Sequence, residues 1–197
     1  MSESDEYKGK SAYHGSVARD YERDRTAEPI WAVEQEFVAR WVSGIPHGSV
    51  LLDLPTGTGR FLPMFIARGL QVHARDISRD MLNVIREKIP DYRAQGLTIE
   101  EGDAQKINLE NDSVDYVVSW RFFHLIPRSV IPGVLAEFKR VCRRDIIIQV
   151  FSVRTSVADA SVFTVGLRKL KGLIRPFLPW NWGKHMRTPW SHIDSYT

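Results

Sequence analysis

The chain has 197 residues, 43% hydrophobic and 26% charged, with a net charge of +3, an ordinary balance for one globular domain with a sizeable core and room for an appendage. No apolar run approaches the roughly 20 residues of a membrane span, and the polar, mixed-charge start MSESDEYKGK does not read as a secretory leader. The single cysteine, Cys142, excludes an internal disulfide and points to a reducing, cytoplasmic setting.

Residues 1–28 are polar, with Tyr7, Tyr13 and Tyr21 among dense mixed charge, and read as an arm or short helices. Pro29 suits a first helical position, and Ile30, Val33, Phe37, Val38 and Trp41 follow at helical spacing up to Gly44. SVLLDL is a short apolar strand ending at Asp53, and the loop PTGTGR follows it. A helix begins near Arg60, with Pro63 in its first turn, and Gly69 closes it. LQVHARDI is a second strand, ending at Asp76. Ser78 caps the next helix, whose buried stripe is Met81, Leu82 and Ile85. LTIEEGDA holds a third strand and DSVDYVVSW a fourth. RSVIPGVLAEFKRVCR is a helix interrupted early by Pro132 and Gly133, and DIIIQVF is a fifth strand. Beyond it, SVFTVGLRKLKGLIRPFLPW reads as an amphipathic helix and WNWGKHMRTPWSHIDSYT as an aromatic, basic loop.

Strands alternating with helices at this spacing predict an α/β fold, doubly wound, with a parallel sheet of about five strands between helical layers. Nothing after Phe151 reads as further strands, so the sheet is expected to be incomplete, with a strand edge to be covered. The expected organisation is an arm at 1–28, a ligand-binding domain at 29–151, and a basic aromatic cap at 152–197.

In open parallel sheets, ligands bind beyond the carboxyl ends of the strands. The unusual residues of this chain collect at those ends. Asp53 ends strand one, with Gly57 and Gly59 after it; Asp76 ends strand two; Asp103 follows strand three; Trp120, Arg121 and His124 follow strand four. The glycines let a ligand approach the backbone and tolerate positive φ. Asp76 is about 20 residues past the loop, where a carboxylate accepts from ribose hydroxyls. Asp103 is placed for an adenine amine. Asp53 stands where a phosphate would be repelled and a cationic ligand favoured. Structural alternatives stay open: an ordinary turn at Gly57 and Gly59, a helix-start role for Asp76, a turn role for Asp103, a hydrogen-bonded structural role for His124. A dinucleotide loop would need a third glycine where the chain has Phe61 and Leu62. A phosphate loop would need G-K-S or G-K-T where it has Gly59-Arg60-Phe61. The six histidines are scattered, and no metal site is expected.

Five segments, VLLDLPTGTGR, DISRDML, GDA at 102–104, DYVVSWRFFHLI and EFKRVCR, in this order, resemble the class I S-adenosylmethionine-dependent methyltransferases over residues 10–151. The resemblance implies a Rossmann-like sheet and S-adenosylmethionine as cofactor. It implies that Asp53, Gly57 and Gly59 hold the amino-acid part, that Asp76 binds ribose, and that Ile77 packs on adenine. Asp103 and Ala104 would meet the adenine edge, and Ser119 and Trp120 would line the floor near the methionine moiety. Pro55 and Thr56 depart from the family, which usually carries glycine at the first of these positions. A proline there predicts a rearranged turn or a crowded cofactor carboxylate. The family also usually ends in a helix and an antiparallel strand pair, which this reading finds missing.

His124 is the candidate general base for a hydroxyl acceptor. The expected acceptor is a small or lipid-like molecule, with an anionic one, or peripheral membrane contact, suggested by six basic residues and one acid from Ala160 onward. Nucleic acid is disfavoured by the modest charge. The alternative function is a non-catalytic, methyltransferase-like binding or regulatory module.

Overall fold

The computed structural model describes residues 13–26, 28–154 and 157–166. The elements run α1 (Ser16–Thr26), α2 (Pro29–Ser43), β1 (Val50–Asp53), α3 (Leu62–Ala67), β2 (Gln71–Asp76), α4 (Arg79–Lys88), β3 (Leu97–Glu101), β4 (Val114–Ser119), α5 (Ile131–Val141), β5 (Cys142–Arg154) and β6 (Val157–Gly166).

Local chemistry sets the boundaries. Pro29 opens α2 where a missing N–H costs nothing. Pro63 and Pro132 do the same in the first turns of α3 and α5, so Pro132 starts its helix rather than interrupting it. Ser78 caps α4 by accepting from the Met81 N–H at 3.3 Å, and Met81, Leu82 and Ile85 form its buried stripe.

The sheet order is β3-β2-β1-β4-β5-β6. The first five strands are parallel to their neighbours, as the alternation predicts. Two corrections come at the end of the chain. A sixth strand, β6, pairs antiparallel with β5 from Asp145↔Gly166 to Arg154↔Val157. The sheet therefore does not stop at five strands, and residues 161–166 are strand, not the start of a helix. The alternating DASVFTV pattern satisfies strand as well as helix over so short a run, and the free edge of β5 decides between them. The helix and loop expected at 167–197 lie outside the described residues, as does the arm before residue 13.

Alternation along each strand divides the core into two layers. Leu51, Tyr116 and Val118 face α2, α3 and α4, packed with Val38, Phe65 and Leu82. Leu52, Val117 and Ile146 face the opposite layer with Val134 and Phe138 of α5. The strand order reverses between β1 and β4, so their carboxyl ends diverge into a crevice.

Candidate functional site

That crevice is a cleft with about 880 Å³ of empty space, its mouth included. Its inner wall is the loop after β1. Asp53 is 2% exposed and accepts from the Thr56 hydroxyl at 2.7 Å. Thr56 donates its N–H to the Arg75 carbonyl at 2.8 Å, drawing the loop over the end of β2. Asp76 completes the join. One carboxylate oxygen accepts from the Gly57 N–H and the other from the Ser78 N–H, each at 2.9 Å. Asp76 thus serves both loop and helix start while leaving lone pairs on a cleft-lining carboxylate.

Positive φ falls on Gly57 (+57°) and Gly59 (+77°), not on Pro55. The turn therefore places its positive φ only where glycine stands. The peptide bond before Pro55 is cis, and Pro55 lines the cleft. A Cβ at Gly57 would meet nothing within 4 Å, so the loop backbone faces open space.

The structure brings Asp53, Gly57, Asp76, Ile77, Ala104 and Trp120 to one wall. Gly59 lies beneath it, against Leu62 and Ile85. Asp103 stands beside the wall between Gly102 and Ala104, accepting from the Gln105 N–H at 2.9 Å. Ser119 is fully buried under the floor. His124 is exposed and is not part of the cleft wall, so the expected general base stands outside it.

Behind the wall, a buried polar network that holds Arg60 and Arg121 was not anticipated. Glu34 of α2 is 3% exposed. It accepts from Arg60 Nη1 at 2.6 Å, from Arg121 Nη2 at 3.0 Å and from Gln149 Nε2 at 2.5 Å. Arg121 also meets Glu28 at 2.8 Å, and its N–H donates to Gln149 Oε1 at 3.0 Å. These bonds fix Arg121 at φ +52°, an uncommon conformation for a residue with a side chain. Arg60 donates through Nη2 to the Trp31 carbonyl at 2.6 Å and lies 3.3 Å from the Trp31 ring centroid. A signal existed in the sequence: Glu34 interrupts the stripe of Ile30, Phe37, Val38 and Trp41, and Gln149 interrupts DIIIQVF. A polar residue on a core stripe announces a buried polar partner.

Burial pushes the Asp53 carboxyl up to about 7, Thr56 opposes this and Asp76 adds to it. Burial likewise raises Asp76, against the Ser78 and Gly57 N–H bonds. Burial pulls the Arg121 guanidinium down, but the Glu34 and Glu28 contacts outweigh it and the net shift is up; at Arg60 burial prevails.

A family model described as a methyltransferase domain matches residues 51–145. An uncharacterised methyltransferase-like protein of Schizosaccharomyces pombe is 34% identical over 109 residues, 53% of this chain and 38% of that protein. An uncharacterised methyltransferase of Mycobacterium bovis is 34% identical over 121 residues, 61% of this chain and 45% of that protein. The chain thus spans less than half the length of these relatives. Among solved structures, Haemonchus contortus phosphoethanolamine N-methyltransferase 2, in complex with S-adenosyl-L-methionine, superposes with a TM-score of 0.63. It is 22% identical and covers 78% of this chain and 36% of its own, a likeness of fold. Over residues 51–145 the chain is thus similar to methyltransferase domains, and the superposed structure holds S-adenosyl-L-methionine.

The residues present fit that group. Asp53 is a buried carboxylate that forms no ion pair among the described residues, which suits a ligand carrying an ammonium and a sulfonium. The Trp120 indole N–H is buried and lacks a partner among the described residues, leaving a donor at the floor of the same cleft.

Proposed function

We propose that the protein methylates a small-molecule or lipid-like acceptor. The observation that supports this best is Asp53: a buried carboxylate, beside an open glycine loop and a second carboxylate at the end of β2, all lining one cleft. S-adenosylmethionine supplies, when bound, a methyl group activated by the positive sulfur. The chain's own residues do the rest by binding, orientation and exclusion of water. Asp53 offers a counter-charge, Asp76 offers acceptor oxygens for hydroxyls, and Ile77 and Met81 offer apolar surface for a flat base. Trp31, Phe61 and Leu125, which line the same cleft, support an acceptor with apolar surface. With His124 off the wall, the reading favours an acceptor atom that needs no histidine base. The anionic alternative drew on basic residues that lie outside the described residues.

The test is calorimetric titration with S-adenosylmethionine, with Asp76→Ala alongside. Micromolar binding lost in the variant supports the reading. No binding by the parent at millimolar ligand overturns it in favour of a non-catalytic module.

A further inference from the structure

We propose that the acceptor is an uncharged molecule with an aromatic or alicyclic body, and that Glu34 is the residue that makes the cleft reject phosphate- and carboxylate-bearing ones. The inference rests on the methyltransferase reading and deepens it.

Two arginines on a ligand-facing wall would ordinarily suggest an anion site. Here they are already used. Arg60 and Arg121 have side chains only 10% exposed, and both meet Glu34. Arg121 meets Glu28 as well. All three guanidinium nitrogens of Arg60 have partners, in Gln35, Glu34 and the Trp31 carbonyl. So do all three of Arg121, in Glu34 and Glu28. Two cations against two carboxylates leave this wall neutral. The other charged groups of the described cleft wall are Asp53 and Asp76, both acidic. An incoming phosphate would lose its water and gain no net counter-charge.

The remaining surface favours flat apolar bodies. The Tyr13 and Tyr21 rings meet edge to face at 5.7 Å on the cleft wall. Trp31 is stacked on Arg60, which holds its ring in place. Phe61 and Trp120 pack at 5.5 Å, and Leu125 completes the apolar side. Glu34 is therefore a specificity residue that acts through the arginines it neutralises.

The experiment loads the full chain with S-adenosylhomocysteine, then titrates 2-naphthol and 2-naphthyl phosphate by calorimetry, in the parent and in Glu34→Gln and Glu28→Gln. Glu28 is partly exposed, so Glu28→Gln remains informative if Glu34→Gln fails to fold. The parent is expected to prefer 2-naphthol by at least about tenfold, and each folded variant to narrow that ratio by about fivefold or more. Equal or tighter binding of the phosphate by the parent overturns the proposal. So does failure of the loaded parent to bind 2-naphthol, or an unchanged ratio in every folded variant. Failure to bind S-adenosylhomocysteine in the loading step sinks the methyltransferase reading itself, and so separates the two.

Discussion

Asp53 carries the clearest pH dependence of any single residue. Its carboxyl moves from an ordinary 3.8 to about 7 on folding, through burial first and the nearby Asp76 last. The folded state therefore holds this proton more tightly. Its stabilising share is fully present below about pH 4 and is lost as pH rises through about 7. Urea denaturation of the empty protein should show this fall, and Asp53→Asn should flatten it. Cofactor binding should run the opposite way. A cationic ligand favours the ionised carboxylate, so affinity should drop by up to about tenfold per pH unit below about 7. Calorimetry between about pH 5.5 and 8 checks the slope, which Asp53→Asn should abolish. The glycines behave differently from each other. A Cβ at Gly59 would lie 2.8 Å from Leu62 Cδ1 at φ +77°, whereas Gly57 has open space at φ +57°. Gly59→Ala should cost about 1–3 kcal/mol of unfolding free energy, and Gly57→Ala less, by urea denaturation. His124→Ala should leave turnover unchanged once an acceptor is found, because the ring stands outside the cleft.

At the scale of elements, the approach to α1 is fastened to the start of α4. The Ser78 hydroxyl donates to the Tyr13 carbonyl. The Gly15 N–H donates to Asp80 at 2.7 Å, and His14 lies 3.6 Å from the same carboxylate. Ser78 also caps α4, so one hydroxyl serves both contacts. Ser78→Ala should destabilise the protein by about 1 kcal/mol and speed hydrogen exchange in both the 13–15 segment and the first turn of α4. Exchange confined to α4 would show that the Tyr13 contact is dispensable. The α2 helix plays a similar part on the other side. Its Glu34 reaches the loop after β1, the loop after β4, and β5. Its position on the helix was readable, a charge on an apolar stripe. Its partners were not, because they come from residues 26, 87 and 115 positions away.

For the molecule as a whole, β6 closes the β5 side of the sheet. Ending the chain after Arg154 would expose the β5 edge from Asp145 onward, and unpaired edges recruit other chains. Such a variant should show more oligomer in size exclusion than the parent, whose apolar β5 strand is paired with β6. The strand itself went unread because a ten-residue alternating segment gains its identity from the neighbour it pairs with, not from its own period.

The local sequence settled the five parallel strands, the helix starts at Pro29 and Ser78, and the gathering of Asp53, Gly57, Asp76 and Trp120 at strand ends. Those features follow from backbone propensity, burial periodicity and the rule that crossovers place all strand ends on one side. Tertiary packing alone decided the rest. It carried His124 off the wall and set Asp76 to hold Gly57. It neutralised Arg60 and Arg121 with Glu34, from a helix that precedes the sheet, and Glu28 just before that helix. These outcomes depend on which distant groups share a dry interior, where a charge is stable only beside its partner.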